Sequence, residues 1–222
     1  MNKLSPLLAV CVLALATTGH AQSSCSSDGQ ARPAALLERF ISADCDSCWS
    51  DTATPVATGR TLALDWVLPG TRGEDAPLSA VAGRDALDRL QSLGRKPVLR
   101  TDTVSTRVAP ANGRLRVAHG LPFNDYVGAS IELRAARGGP WTAWLVLVET
   151  LPAGTEGSPV ERNLVRNALR VEWKGGSTGR LLESRPMGIP QGTKPSRLRV
   201  AGWVEDARGR VVAAAQSRCG TS

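Results

Sequence analysis

Cys45 and Cys48 enclose Asp46-Ser47 in a Cys-x-x-Cys motif that comes directly after an apolar segment. Two thiols at this spacing can close a local disulfide, exchange disulfides with another protein, or supply half of a zinc site. The segment before the motif reads as a strand, and a short helix can start at the motif itself. A sulfur at a helix start meets unpaired backbone N–H groups and the positive end of the helix dipole, which stabilise a thiolate. Cys45 is therefore the expected attacking thiol and Cys48 the resolving thiol. Asp44 and Asp46 act against this, because nearby carboxylates disfavour a third negative charge. The expected couple is more reducing than that of strong disulfide-forming oxidants. A static Cys45–Cys48 disulfide that only tightens the turn is an equal alternative.

The redox compartment decides which chemistry is open to these thiols. Met1-Asn2-Lys3 gives a basic start, and Leu7 to Ala16 is an apolar run too short to span a bilayer. Gly19-His20-Ala21 offers the small residues that a signal peptidase reads, so cleavage is expected after Ala21, with Gln22 as the mature start. Cys11 lies inside the run and follows Val10, which does not suit a lipoprotein site. No later segment reads as transmembrane. The expected location is periplasmic or secreted, where disulfides persist.

Cleavage leaves Cys25, Cys45, Cys48 and Cys219. Four cysteines permit three pairings. Two lie close in sequence and two near the mature ends, so the simplest assignment is Cys45–Cys48 and Cys25–Cys219. A bridge between the ends would be structural, stabilising by roughly 5 kcal/mol on chain-entropy grounds. A four-cysteine zinc site would need the ends to converge on the motif, at a spacing that matches no common zinc pattern. No metal or cofactor is expected.

His119 is the single histidine of the mature chain. No Gly-x-Ser-x-Gly elbow is present to give it a nucleophile, so it reads as a structural or surface residue. The net charge is +7, yet no run of basic residues and no aromatic interleaving forms a nucleic-acid groove. Nucleic acid is not an expected partner; anionic envelope polymers suit the cationic surface better. The six tryptophans against one tyrosine and two phenylalanines read as packing residues.

Residues 22–33 form a polar arm. Ala34 to Ile41 and Thr61 to Leu68 read as strands, Leu78 to Leu93 has helical spacing with Gly94 as a stop, and Pro97 to Val108 can be a third strand. From Arg114 the pattern becomes strands and turns. Tyr126 to Ala135 alternates, Trp141 to Val148 is a continuous apolar run, and Asn163 to Trp173 alternates less cleanly. Arg197 to Glu205 and Arg210 to Ser217 flank Asp206-Ala207-Arg208-Gly209 as a hairpin. A mixed first lobe and an all-β second lobe follow, the latter sandwich-like.

Glu38-Arg39-Phe40-Ile41-Ser42-Ala43-Asp44-Cys45-Asp46-Ser47-Cys48 resembles the opening motif of the domain of unknown function 1223 family, exported bacterial proteins with a thioredoxin-like lobe. Leu64-Asp65-Trp66 is similar to that family's second strand. Gly154-Thr155-Glu156, Asn163-Leu164-Val165-Arg166, Trp173-Lys174-Gly175 and the Val211 to Ala215 strand resemble later segments in the same order. The match runs from about Ala34 to Cys219. Trp49-Ser50 stands where the family has two prolines, and Lys96-Pro97-Val98 is the nearest counterpart of its cis-proline strand. The resemblance implies a thioredoxin-like lobe over 34–112, which the turn at Ala109 to Gly113 leaves room to be truncated; with the strand-only patterning over 113–222, the expected fold is α+β, that lobe followed by an antiparallel β-sandwich-like lobe. It implies Cys45, Cys48 and Pro97 as the redox constellation. Two functions are expected: thiol–disulfide exchange with envelope proteins, or a non-catalytic binding or structural module whose cysteines are staples.

Overall fold

A computed structural model of the chain describes residues 25–109, 113–135, 138–174 and 179–219. The export signal read over 1–21 and the Gln22 start lie outside them. The described residues form two β-sheets with two short α-helices.

The seven-stranded sheet has the order β11-β10-β7-β8-β3-β2-β4. Its strands are β2 (Ala35–Ser42), β3 (Thr61–Leu68), β4 (Thr101–Arg107), β7 (Trp141–Leu151), β8 (Arg162–Trp173), β10 (Leu198–Asp206) and β11 (Val211–Gln216). β2 and β3 pair in parallel, and β3 meets β8 in parallel at Asp65–Leu164; the other pairs are antiparallel. Strands β2 and β3 read as near-continuous apolar runs because both of their faces are covered. The five-stranded sheet has the order β12-β1-β5-β6-β9. It comprises β1 (Cys25–Ser26), β5 (Gly113–His119), β6 (Tyr126–Ala135), β9 (Gly179–Gly188) and β12 (Arg218–Cys219).

The two sheets enclose one core, in which Val117 and Ile131 pack with Leu145, Leu147, Val200 and Val204. Gly202 permits their close approach. A Cβ there would come within 2.9 Å of Ile131 Cδ1, Val117 Cγ1 and the Trp144 carbonyl. The second core lies on the other face of the seven-stranded sheet, where Phe40, Trp66, Trp144 and Trp203 pack with Ala86 and Leu90 of helix α2 (Arg84–Ser92). Trp66, Trp144 and Trp203 are thus packing residues, as expected.

A buried arginine fastens α2 to this face. Arg89 donates from Nε and Nη2 to the two oxygens of Glu38 at 2.8 and 2.7 Å, and from Nη1 to Glu205 at 2.7 Å. Its guanidinium lies 5.1 Å from the Trp144 ring and 4.9 Å from the Trp203 ring, at cation–π distance. Trp66 and Trp203 donate their indole N–H groups to Glu38 and Glu205.

The expected α+β class with a thioredoxin-like lobe is overturned. Helical structure among the described residues of the first half is limited to nine-residue α2, four-residue α1 (Asp46–Trp49) and short 3-10 turns. Strands β2, β3 and β4 do not build a sheet of their own. They continue the sheet of β7, β8, β10 and β11 through the β3–β8 junction, which makes the molecule a β-sandwich. The helical spacing from Leu78 yields α2 only from Arg84, because Gly83 is extended at φ −136° and ψ 148°. Gly94, at φ +67°, ends the segment as expected.

Candidate functional site

Cys45 caps α1 immediately after β2 and forms a disulfide with Cys48. Both half-cystines are buried, at 7 % and 4 % exposure, beside Trp49, Ile41, Val67 and Leu164. Asp44 is engaged by the 71–72 loop. Its carboxylate accepts hydrogen bonds from the Thr71 hydroxyl and the backbone N–H groups of Thr71 and Arg72. The Thr71 hydroxyl, the Thr71 and Arg72 amides and the Arg72 charge hold it below its ordinary range. Asp46 is exposed on the first turn of α1.

The turn is held from beneath by buried charge. The parallel register sets Arg39 of β2 beside Asp65 of β3, and the β3–β8 junction brings in Arg162. Asp65 accepts from Arg39 Nη2 at 2.6 Å, Arg162 Nη1 at 3.1 Å and the Asn163 amide at 2.7 Å. Arg162 Nη2 then donates to the carbonyls of Trp49 at 2.8 Å and Cys48 at 3.4 Å. Its guanidinium also lies 5.0 Å from the Trp49 ring. Arg39 donates to the carbonyls of Pro55 and Glu161. Burial pulls the Arg162 guanidinium below its ordinary pKa; Asp65 resists and the neighbouring Arg39 adds to the fall. These bonds satisfy carbonyls that the four-residue α1 would otherwise leave unpaired.

Trp49, fixed in this way, forms a wall of a cavity of about 320 Å³. Its indole N–H donates to the Glu156 carbonyl at 2.7 Å. Leu78, Val81, Leu151 and Leu164 add apolar surface, and Glu149, Glu156, Arg166 and Lys194 bring charge. Arg166 Nε lies 3.4 Å from Glu149, with both side chains at most 5 % exposed, and donates to the Thr193 hydroxyl. Burial lowers the pKa of Arg166 and Glu149 opposes that fall. Lys194 pairs with Glu156 at 2.6 Å across the rim. Apolar walls with a few fixed polar groups are the usual lining of a ligand pocket.

The sequence-derived residues divide between two places. Cys25 and Cys219 form the second disulfide, between β1 and β12. His119 is buried on β5, in register with Cys25, rather than on the surface. Pro97 is exposed in the stretch before β4, and the cis X-Pro peptide among the described residues is Gly139–Pro140. Sequence reasoning missed Arg39, Arg162 and Glu149 as site residues. A signal existed: Glu38-Arg39 is a charged pair inside an apolar strand, and buried charges must find partners. The segments Leu64-Asp65-Trp66, Gly154-Thr155-Glu156 and Asn163 to Arg166, singled out together in the sequence, meet around Trp49 and the cavity.

No helix among the described residues is long and apolar enough to cross a membrane. No family model matches the chain, and neither does any curated protein or solved structure.

Proposed function

We propose that the chain is an exported, non-catalytic binding module in which Cys45–Cys48 is a staple and the Trp49 cavity receives the ligand. The observation that carries this reading is the burial of both sulfurs above a turn whose carbonyls are bonded to Arg162. An exchange-active pair needs an accessible attacking sulfur. Opening this disulfide would disturb Trp49, the Arg162 clamp and the cavity wall together. The ligand has an apolar body, matching Leu78, Val81, Leu151 and Leu164, and a polar group for the Arg166–Glu149 end.

The test is a redox titration with mass spectrometry of trapped thiols. Cys45–Cys48 should stay oxidised in thiol buffers that reduce thioredoxin-type couples, and Cys48→Ala should trap no mixed disulfide with envelope proteins. Replacing both Cys45 and Cys48 by Ala should cost about 2 kcal/mol, the entropy of so short a loop. Rapid alkylation of Cys45 after mild reduction, with partners captured by Cys48→Ala, would overturn the proposal in favour of exchange.

A further inference from the structure

Cys219, Cys25 and His119 form a row across three adjacent strands. Cys25 stands directly opposite Cys219 of β12 on one side and His119 of β5 on the other. Residues in register share a face of the sheet, so the three side chains project together. One donor atom from each, two sulfurs and a ring nitrogen, lies within 4.8 Å of the other two. Cys25 and His119 are each 4 % exposed, whereas Cys219 is exposed at the sheet edge.

The histidine is set for a role that the disulfide does not use. His119 Nδ1 lies 2.9 Å from the Gly120 carbonyl, which can only accept, so Nδ1 carries the proton. Nε2 therefore presents a lone pair, and it is buried with no hydrogen-bond partner among the described residues. One nitrogen on a backbone carbonyl and the other offered to a Lewis acid is the arrangement of a metal-binding histidine.

We propose that the dithiol form of Cys25 and Cys219 binds Zn²⁺ together with Nε2 of His119, so that disulfide and metal are alternative occupants of one site. A dithiol or phosphine reductant gives two electrons to the S–S bond, and each sulfur takes a proton. Binding of Zn²⁺ then expels both protons and forms two thiolate bonds and one imidazole bond. Two thiolates cancel the charge of the ion, which suits a half-buried position. Thiolate and imidazole donors favour zinc, and three protein ligands leave a fourth position for water on the open Cys219 side. This site uses two sulfurs and a nitrogen, not the four cysteines considered from the sequence.

Cobalt(II) is the probe. The chain is reduced with a phosphine under argon, titrated with Co²⁺, and followed by absorption and far-ultraviolet circular dichroism. One equivalent should give a thiolate-to-cobalt charge-transfer band that Zn²⁺ abolishes, while the oxidised chain gives none. Cys219→Ser should remove the band, and His119→Ala should weaken Co²⁺ binding by at least about tenfold. A band that survives His119→Ala unweakened, or that disappears with Cys45→Ser but not Cys219→Ser, overturns the proposal. So does a reduced chain that keeps its sheet signal and gives no band. A reduced chain that loses its sheet signal and does not regain it with Co²⁺ overturns it as well, because the row of ligands then does not outlast the disulfide.

Discussion

Arg89 and Arg162 are both buried, both lie beside tryptophan and both are neutralised by carboxylates, yet their surroundings are opposite in charge. Around Arg89 one guanidinium faces two carboxylates, Glu38 and Glu205. Around Asp65 one carboxylate faces two guanidinium groups, Arg39 and Arg162. The response of each arginine follows. Burial would lower the pKa of Arg89, but Glu38 and Glu205 outweigh it and hold it above its ordinary value. Burial lowers the pKa of Arg162, and the neighbouring Arg39 deepens the fall against Asp65. The first centre uses side chains alone and ties a helix to a sheet. The second spends its surplus donors on the backbone carbonyls of Cys48, Trp49, Pro55 and Glu161, and so shapes the site. A surplus of acid fixes the fold element; a surplus of base fixes the loops.

The sharpest way to break this contrast is Asp65→Ala. It leaves two buried guanidinium groups without a carboxylate, and stability should fall by about 3–5 kcal/mol in urea denaturation. Proteolysis should then cut first in the 49–58 segment, which loses its anchor. Glu205→Ala should cost less, about 2 kcal/mol, because Arg89 keeps its two bonds to Glu38. An equal or larger loss for Glu205→Ala would remove the charge-excess account.

The smallest expected effect concerns pH at Asp85, on the same helix as Arg89. Burial raises its pKa above the ordinary 3.8, the Ala168 amide opposes that, and Asp88 adds to it. A carboxyl with a raised folded pKa contributes stability below its unfolded pKa, and that stability is lost as pH rises through the folded value. Asp85→Asn keeps an acceptor for Ala168 and carries no charge. Relative to the parent, it should therefore gain stability as pH rises from acid to neutral, read as a difference in melting temperature. A constant difference across that range would show that Asp85 does not titrate in this window.

The lessons for sequence reading follow from particular elements. The run Thr61 to Leu68 coincides with β3, Tyr126 to Ala135 with β6, and the Asp206 to Gly209 turn joins β10 and β11 as expected. Apolar runs and period-two alternation are local patterns, and local patterns survive in sequence. Both disulfides, Cys45–Cys48 and Cys25–Cys219, were also legible, one from proximity along the chain and one from the two cysteines that remained. The site was only half legible. Cys45 and Cys48 could be seen, but the cavity, Glu149 and the Arg162 clamp could not, because their members come from strands far apart in the chain.

The sequence by itself marked several strands, β3, β6 and the β10–β11 hairpin among them, and pointed to the cysteine pairs as the simplest assignment. Those properties depend on a residue's neighbours and on how few partners of its kind exist. Only the tertiary structure decided that β2 and β3 would continue the sheet of β7 and β8 rather than head a thioredoxin-like lobe. It also decided that Glu38 and Arg39, adjacent in sequence, would serve opposite faces of that sheet, one for Arg89 and one for Asp65. The pleat sends neighbouring side chains to opposite faces, and what each face meets is fixed by strand pairing across long loops. No local pattern encodes that partner. The same separation buried both half-cystines of the four-residue turn at Cys45.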